Sequence, residues 1–263
     1  MIGSILAWLT SSAHWSGDDG ILHRLVQHLE YSFAALLIAA LIALPLGLYI
    51  GHTGRGRFLV VGVAGAARAV PTLGLLFLVV LWLGPKLSGD IAFLVPSISV
   101  LVVLAVPPIL SGAYAGVEGV DPAARDAAKG MGMRGSEVLG KVELPCALPL
   151  IFSGLRSAAL QVIATATIAA YVGLGGLGRF LIDGLAVRDT PQTVSGAVLV
   201  AVLALAVDLV LFATIQRLVV SPGLTGRAAQ APDSRSTSVG TADASDSNDT
   251  TSNDTTSRVP QPA

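Results

Sequence analysis

Long apolar runs govern what this chain can become. At ~1.5 Å per residue, a helix needs about 20 apolar residues to cross the ~30 Å hydrocarbon core of a bilayer. Five stretches meet that length: about 31–50, 58–83, 91–116, 145–172 and 194–220. Apolar residues make up 53% of the 263 and charged residues only 13%, against about 25% charged in a soluble domain. Too few polar groups exist to clothe a water-soluble fold of this length. The expected class is therefore all-α: a polytopic membrane protein with about five transmembrane helices. Pro71, Pro96, Pro107 and Pro108 fall inside these runs. Neighbouring helices can re-satisfy the backbone groups that a proline frees in lipid, so packed helices lining a path are expected rather than straight anchors. Dense small residues (SGLRSAAL, ATATIAA, GVAGAA) suit close helix packing.

Several function classes fall away on composition. The net charge of −1 offers no basic footprint for nucleic acid. One cysteine, Cys146, excludes an internal disulfide or a cysteine zinc site. His14, His23, His28 and His52 show no metal-ligand spacing, and no metal site is expected. The first residues, MIGSILAWLTSSAHW, lack a Lys or Arg before a short apolar stretch, which argues against a cleavable signal peptide. Residues 2–9 are too few to span and are expected to lie at the interface. Residues 1–30 form an external or interfacial segment and residues 31–222 the membrane domain. Residues 223–263, rich in Ser, Thr, Asp, Ala and Pro, are expected to be a disordered tail. Loop Lys and Arg residues favour the side holding Arg55, Arg57, Arg125, Lys129, Arg134, Lys141, Arg217 and Arg227 over the side with Arg24, Lys86, Arg179 and Arg188. By the positive-inside rule the loop after the third run, and the C-terminus, are cytoplasmic.

That loop, about 117–146, lies within GVEGVDPAARDAAKGMGMRGSEVLGKVELPCALP, residues 116–149. Asp121 followed by Pro122 is a helix start, an N-cap oxygen ahead of a residue without an N–H. A short helix over 122–129 should be broken by the glycines of 130–133. Ser136 can cap a second short helix that should yield near Pro145. Two short helices at an angle would make a protruding knob; an ordinary amphipathic connector fits the same residues.

The loop resembles the cytoplasmic signature of permease subunits of binding-protein-dependent ABC importers: EAA, three residues, Gly, nine residues, Ile-x-Leu-Pro. Asp126, Ala127 and Ala128 stand for EAA, Gly132 follows after three residues, and Val142-Glu143-Leu144-Pro145 after nine more. Asp126 for Glu and Val142 for Ile are conservative departures. The resemblance implies the type I ABC importer permease fold. It also implies a coupling loop that docks on an ATPase subunit through Asp121, Asp126, Ala127, Ala128, Gly130, Gly132, Met133, Val142, Leu144 and Pro145. Further segments (RAVPTLGLLFL, VELPCALPLIFSGLRSAAL, ATIAAYVGLGGLG) look like permeases for glycine betaine, carnitine and choline. The implied partners are two ABC ATPase subunits, which bind the ATP and Mg, an external solute-binding protein on its own chain, and a second permease copy or paralogue. The chain itself would be non-catalytic and hold no cofactor, in a bacterial cytoplasmic (inner) membrane. Another solute, such as an amino acid of the methionine type, keeps the fold but changes the cargo. An ion-coupled carrier is the third reading, although a fixed-spacing EAA loop has no use without an ATPase.

Gly173, Gly175, Gly176 and Gly178 resemble a dinucleotide loop in spacing only, because they follow a membrane run rather than a strand. A glycine-rich turn at the external mouth, part of a gate, suits them better. No GxxxxGK[ST] occurs, and no catalytic constellation stands out. Trp8, Trp15, Trp82 and Tyr31 are expected in the interfacial aromatic belt rather than in a cage for a quaternary ammonium. Arg68, Arg156 and Asp208 fall within the runs, each roughly 14–18 Å from the cytoplasmic end. Charges at that depth seek partners, so Asp208 is expected to pair with Arg156 or Arg68.

Overall fold

The computed structural model describes residues 2–58, 60, 62, 65 and 69–219, with side chains as far as 214. Among the described residues every regular element is helical. In chain order these are α1 (Ile2–Thr10), α2 (Ile21–Thr53), α3 (Thr72–Leu83), α4 (Ile91–Glu118), α5 (Pro122–Gly130), α6 (Gly135–Val138), α7 (Leu144–Ala169), α8 (Gly178–Ala186) and α9 (Thr190–Val219). Four described helical segments are long and apolar enough to cross a membrane: Ile21–Thr53, Ile91–Glu118, Gly135–Val172 and Thr190–Thr214. Arg68 and the tail from 220 onward lie outside the described residues, as does most of 59–68.

The first two runs differ from the sequence reading at their boundaries. The second apolar run does not give one described span from Phe58. Pro71 sits extended (φ −68°, ψ 115°) at the N-cap of α3 and starts a fresh helix of 12 residues, only ~18 Å long. The first span, in turn, begins at Ile21, upstream of the apolar run. Its polar first turns are stabilised by burial against other elements: His28 is fully buried, with Nε2 3.1 Å from the carbonyl oxygen of Ile163.

The buried face of α2 carries Ala35, Ala39, Ala43, Gly47 and Gly51, one residue per turn. The i, i+4 spacing keeps them in one row, and the absence of large side chains lets α4 approach along most of its length. A Cβ on Gly47 would lie 2.6 Å from the Cβ of Ala113. Gly112 of α4 and Gly154 of α7 meet in the same way, since a Cβ on Gly112 would lie 2.9 Å from the Gly154 Cα. Helices without a hydrophobic drive toward one another in lipid associate through such close contact. The central core thus joins α2, α4 and α7 around Ala39, Leu101, Ile109, Ala158 and Val162. Helix α9 packs on α7 and α8, and α1 on α9. Trp8 of α1 stacks on His14 and meets the edge of Phe180, and Trp15 donates to the Leu9 carbonyl. The short N-terminal helix is therefore tied to the bundle.

Candidate functional site

Helix α5 starts where Asp121-Pro122 places it, with Asp121 Oδ1 accepting from the Ala123 N–H at 2.8 Å. The break after it falls at Gly132, whose φ of +86° is open to glycine and strained for other residues. The second helix is not capped by Ser136. Its N-cap is Arg134, whose N–H donates to Glu137 Oε2 at 2.9 Å, a carboxylate reaching back over the first turn. Nor does the chain yield at Pro145. A π-helical turn, Leu139–Glu143, carries α6 straight into α7, with Pro145 in the first turn of α7. The wider π-helical turn ahead of it accommodates the proline inside the continuous helix.

The result is a knob at one end of the bundle. Ala128 is buried beneath it, while Asp126, Ala127, Gly130 and Met131 are exposed. Gly132 and Pro145 are also exposed, with Met133, Val142 and Leu144 half-buried. What fixes the knob to the spans is a cluster that local sequence patterns do not display. Glu143 is 2% exposed. His52 at the end of α2 places Nδ1 2.6 Å from Glu143 Oε2, and Arg125 of α5 places Nε 2.9 Å from Oε1. The Arg125 contact is chiefly charge to charge, because the N–H does not aim along it. The same guanidinium donates from Nη2 to the Val117 carbonyl at the end of α4. One carboxylate therefore gathers α2, α4, α5 and the entry to α7. A lone acidic residue between Val142 and Leu144 was the signal; its partners lie far away in sequence.

Midway along the spans, Arg156 of α7 and Asp208 of α9 form a two-toothed pair, Nε to Oδ1 at 2.5 Å and Nη2 to Oδ2 at 2.6 Å. Phe212 lies beside the guanidinium, 5.3 Å from its ring centre. Arg156 is the partner that the described residues bring to Asp208.

Beside the α4–α7 crossing lies a cleft of about 650 Å³. Its polar lining is uncharged: Thr72, Ser111, Ser153, Ser157 and Gln161. Pro107 and Pro108 border it and lack N–H groups, so the carbonyls of Val103 and Leu104 lose their helical donors and add acceptors nearby. At the end of the bundle opposite the knob, Gly173 and Gly176 turn the chain with φ of +95° and +92°. The Gly176 N–H donates to Gln27 Oε1 at 3.1 Å. A Cβ on Gly178 would lie 2.8 Å from the Thr167 Cα, so the glycine loop is seated against α2 and α7.

Comparison with known proteins agrees with this geometry. Residues 43–221 match the family described as binding-protein-dependent transport system inner membrane component. The glycine betaine/carnitine/choline transport system permease protein of Bacillus subtilis is 34% identical over 206 residues, covering 78% of this chain and 91% of that protein. A carnitine transport permease protein of Listeria monocytogenes is 35% identical over 185 residues, covering 70% and 82%. Among solved structures, the inward-facing MetNI methionine ABC transporter matches with a TM-score of 0.65 at 20% identity, over 75% of this chain and 95% of that one.

Proposed function

The chain belongs to the binding-protein-dependent transport system inner membrane components, and on that premise we infer that it is the transmembrane subunit of an ATP-driven importer for quaternary-ammonium osmoprotectants: glycine betaine, choline and carnitine. The fold is that of type I ABC importer permeases. The cargo assignment rests on the named transport functions of several relatives more than 30% identical over most of their length.

The observation that carries the mechanism is the exposed knob lashed to three spans by one buried carboxylate. Ala127 is small and exposed, which permits close docking in a groove of an ATPase subunit, while Arg125 and Ala128 hold the opposite face. Closure of an ATPase pair on ATP would push α5, and the Glu143 cluster would pass that displacement to α2, α4 and α7 as a rigid-body movement. In this reading the knob end is cytoplasmic and the glycine loop lies at the external mouth, where it forms part of a gate. ATP and Mg are held by the partner ATPases. An external receptor delivers the solute, and a second permease copy or a paralogue completes the path. The uncharged cleft suits a bulky cation or zwitterion in transit.

Replacing Ala127 with Asp is the direct test. ATPase docking or solute uptake should be lost while the permease still reaches the membrane, because the spans are untouched. Normal uptake and normal ATPase coupling by that variant would refute the docking role.

A further inference from the structure

We propose that the cleft at the bundle end opposite the knob is a transit site for carboxylate-bearing quaternary ammonium solutes, with the guanidiniums of Arg24 and Arg179 receiving the carboxylate and the rings of Tyr31 and Phe93, with Asp90, receiving the ammonium. The proposal deepens the importer reading above and rests on it.

The cleft has a volume of about 470 Å³, within the roughly 300–1,000 Å³ of small-molecule sites. Four separate parts of the fold converge on it: the first turns of α2, the start of α4, the glycine loop and the first turn of α8. Its lining is chemically unlike that of the uncharged cleft beside the α4–α7 crossing. Two guanidiniums, one carboxylate and two aromatic rings line it. Arginine recognises carboxylates through paired N–H donors, whereas aromatic faces attract quaternary ammonium groups. A molecule carrying both ends satisfies the whole set. A plain cation leaves the spare guanidinium N–H groups without an acceptor.

Both guanidiniums are held in place without being used up. Arg24 contacts Asp19 through Nη2 and Gln27 Oε1 through Nη1, at 3.1 Å for the latter. Arg179 contacts Asp183 Oδ1 at 2.9 Å through Nη2 and points Nη1 at the Ala170 carbonyl. An arginine carries five N–H groups, so donors remain for an anion. The glycine loop keeps the site open: a Cβ at Gly175 would lie 3.2 Å from Arg24 Nη1, and one at Gly173 would lie 3.8 Å from the Phe93 ring. Larger residues there would cover the groups that a solute needs to reach. Phe93 is 48% exposed, an apolar ring left open beside charged neighbours. Tyr31, expected in the aromatic belt, lines the same cleft.

The test is uptake of glycine betaine and of choline by the assembled importer, with permease, ATPase and receptor together. Receptor affinities and membrane levels are measured in parallel. Arg179→Gln should raise the half-saturating concentration for glycine betaine about fivefold or more while leaving choline uptake unchanged. Arg179→Lys should recover part of the loss, and Phe93→Ala should weaken uptake of both solutes. If Arg179→Gln fails to reach the membrane, Arg24→Gln gives the same contrast. Equal loss for both solutes, or no loss, overturns the site, and so does a wild type that carries choline alone. With a wild type that carries betaine alone, loss in Arg179→Gln with recovery in Arg179→Lys supports it and unchanged uptake overturns it. A wild type that carries neither solute refutes the cargo reading itself, and the site with it.

Discussion

A guanidinium and a carboxylate facing each other in the middle of a bilayer form an arrangement in which either partner alone is worse than neither. Asp208→Asn leaves Arg156 without its two-toothed acceptor. That variant is expected to melt at a lower temperature than the double variant Asp208→Asn with Arg156→Gln, and thermal unfolding of the detergent-solubilised subunit checks the order. Depth along the spans was legible in the sequence and indicated that Asp208 needed a partner. Depth alone left Arg68 and Arg156 equal, because rotation about the helix axis is fixed by packing and not by position. At the α4–α7 crossing the constraint is steric. Gly112→Leu would drive a side chain into the backbone of α7, and overpacking of this kind costs about 1–3 kcal/mol. Reduced membrane levels and a lowered melting temperature are the expected readouts, with Gly130→Leu on the exposed knob as a mild control.

Among the elements, the knob divides what sequence can and cannot tell. Asp121-Pro122 and Gly132 act on their own backbone, so the start and the end of α5 were readable from a few adjacent residues. The tether was not, because Glu143 lies 91 residues from His52 and only the folded bundle brings them together. Pro145 misled for a related reason. A proline ends a helix when the preceding turn is α-helical, and the π-helical turn at Leu139–Glu143 removes that condition. The early start of α2 was hidden by its own polar residues, since His28 and Gln27 read as loop until α7 and the glycine turn are there to bond them. If the Glu143 cluster stiffens the knob, Glu143→Gln should loosen α5 while sparing the spans. Removing one partner from a buried ion pair costs a few kcal/mol. Amide exchange in Pro122–Gly130 should therefore quicken by roughly a hundredfold, about 2.7 kcal/mol, while amides of α4 and α7 stay protected.

At the scale of the whole molecule, a polar cleft opens between spans whose outer faces are apolar. Cys146 is the lone cysteine, so a Cys146→Ser background permits site-by-site labelling. Ser157→Cys in the cleft should react with a water-borne thiol reagent about tenfold faster than Leu205→Cys, which lies on the exposed apolar face of α9. Equal rates would mean that the cleft is not a water-filled path. All of these placements depend on a single irregularity. A π-helical turn absorbs about one residue more than an α-helical turn, so Leu139–Glu143 sets everything after it back by about 100° of helical phase relative to an unbroken α-helix. Gly154 against α4, Ser153 and Ser157 on the cleft, and Arg156 toward Asp208 all inherit that angle. Deleting Gly140 would remove the surplus residue and close the turn to α geometry with the three contacts still in register, whereas deleting Leu148, beyond the turn, would rotate them together by about 100°. A single lost codon is thus absorbed inside this turn and felt along the whole span just beyond it.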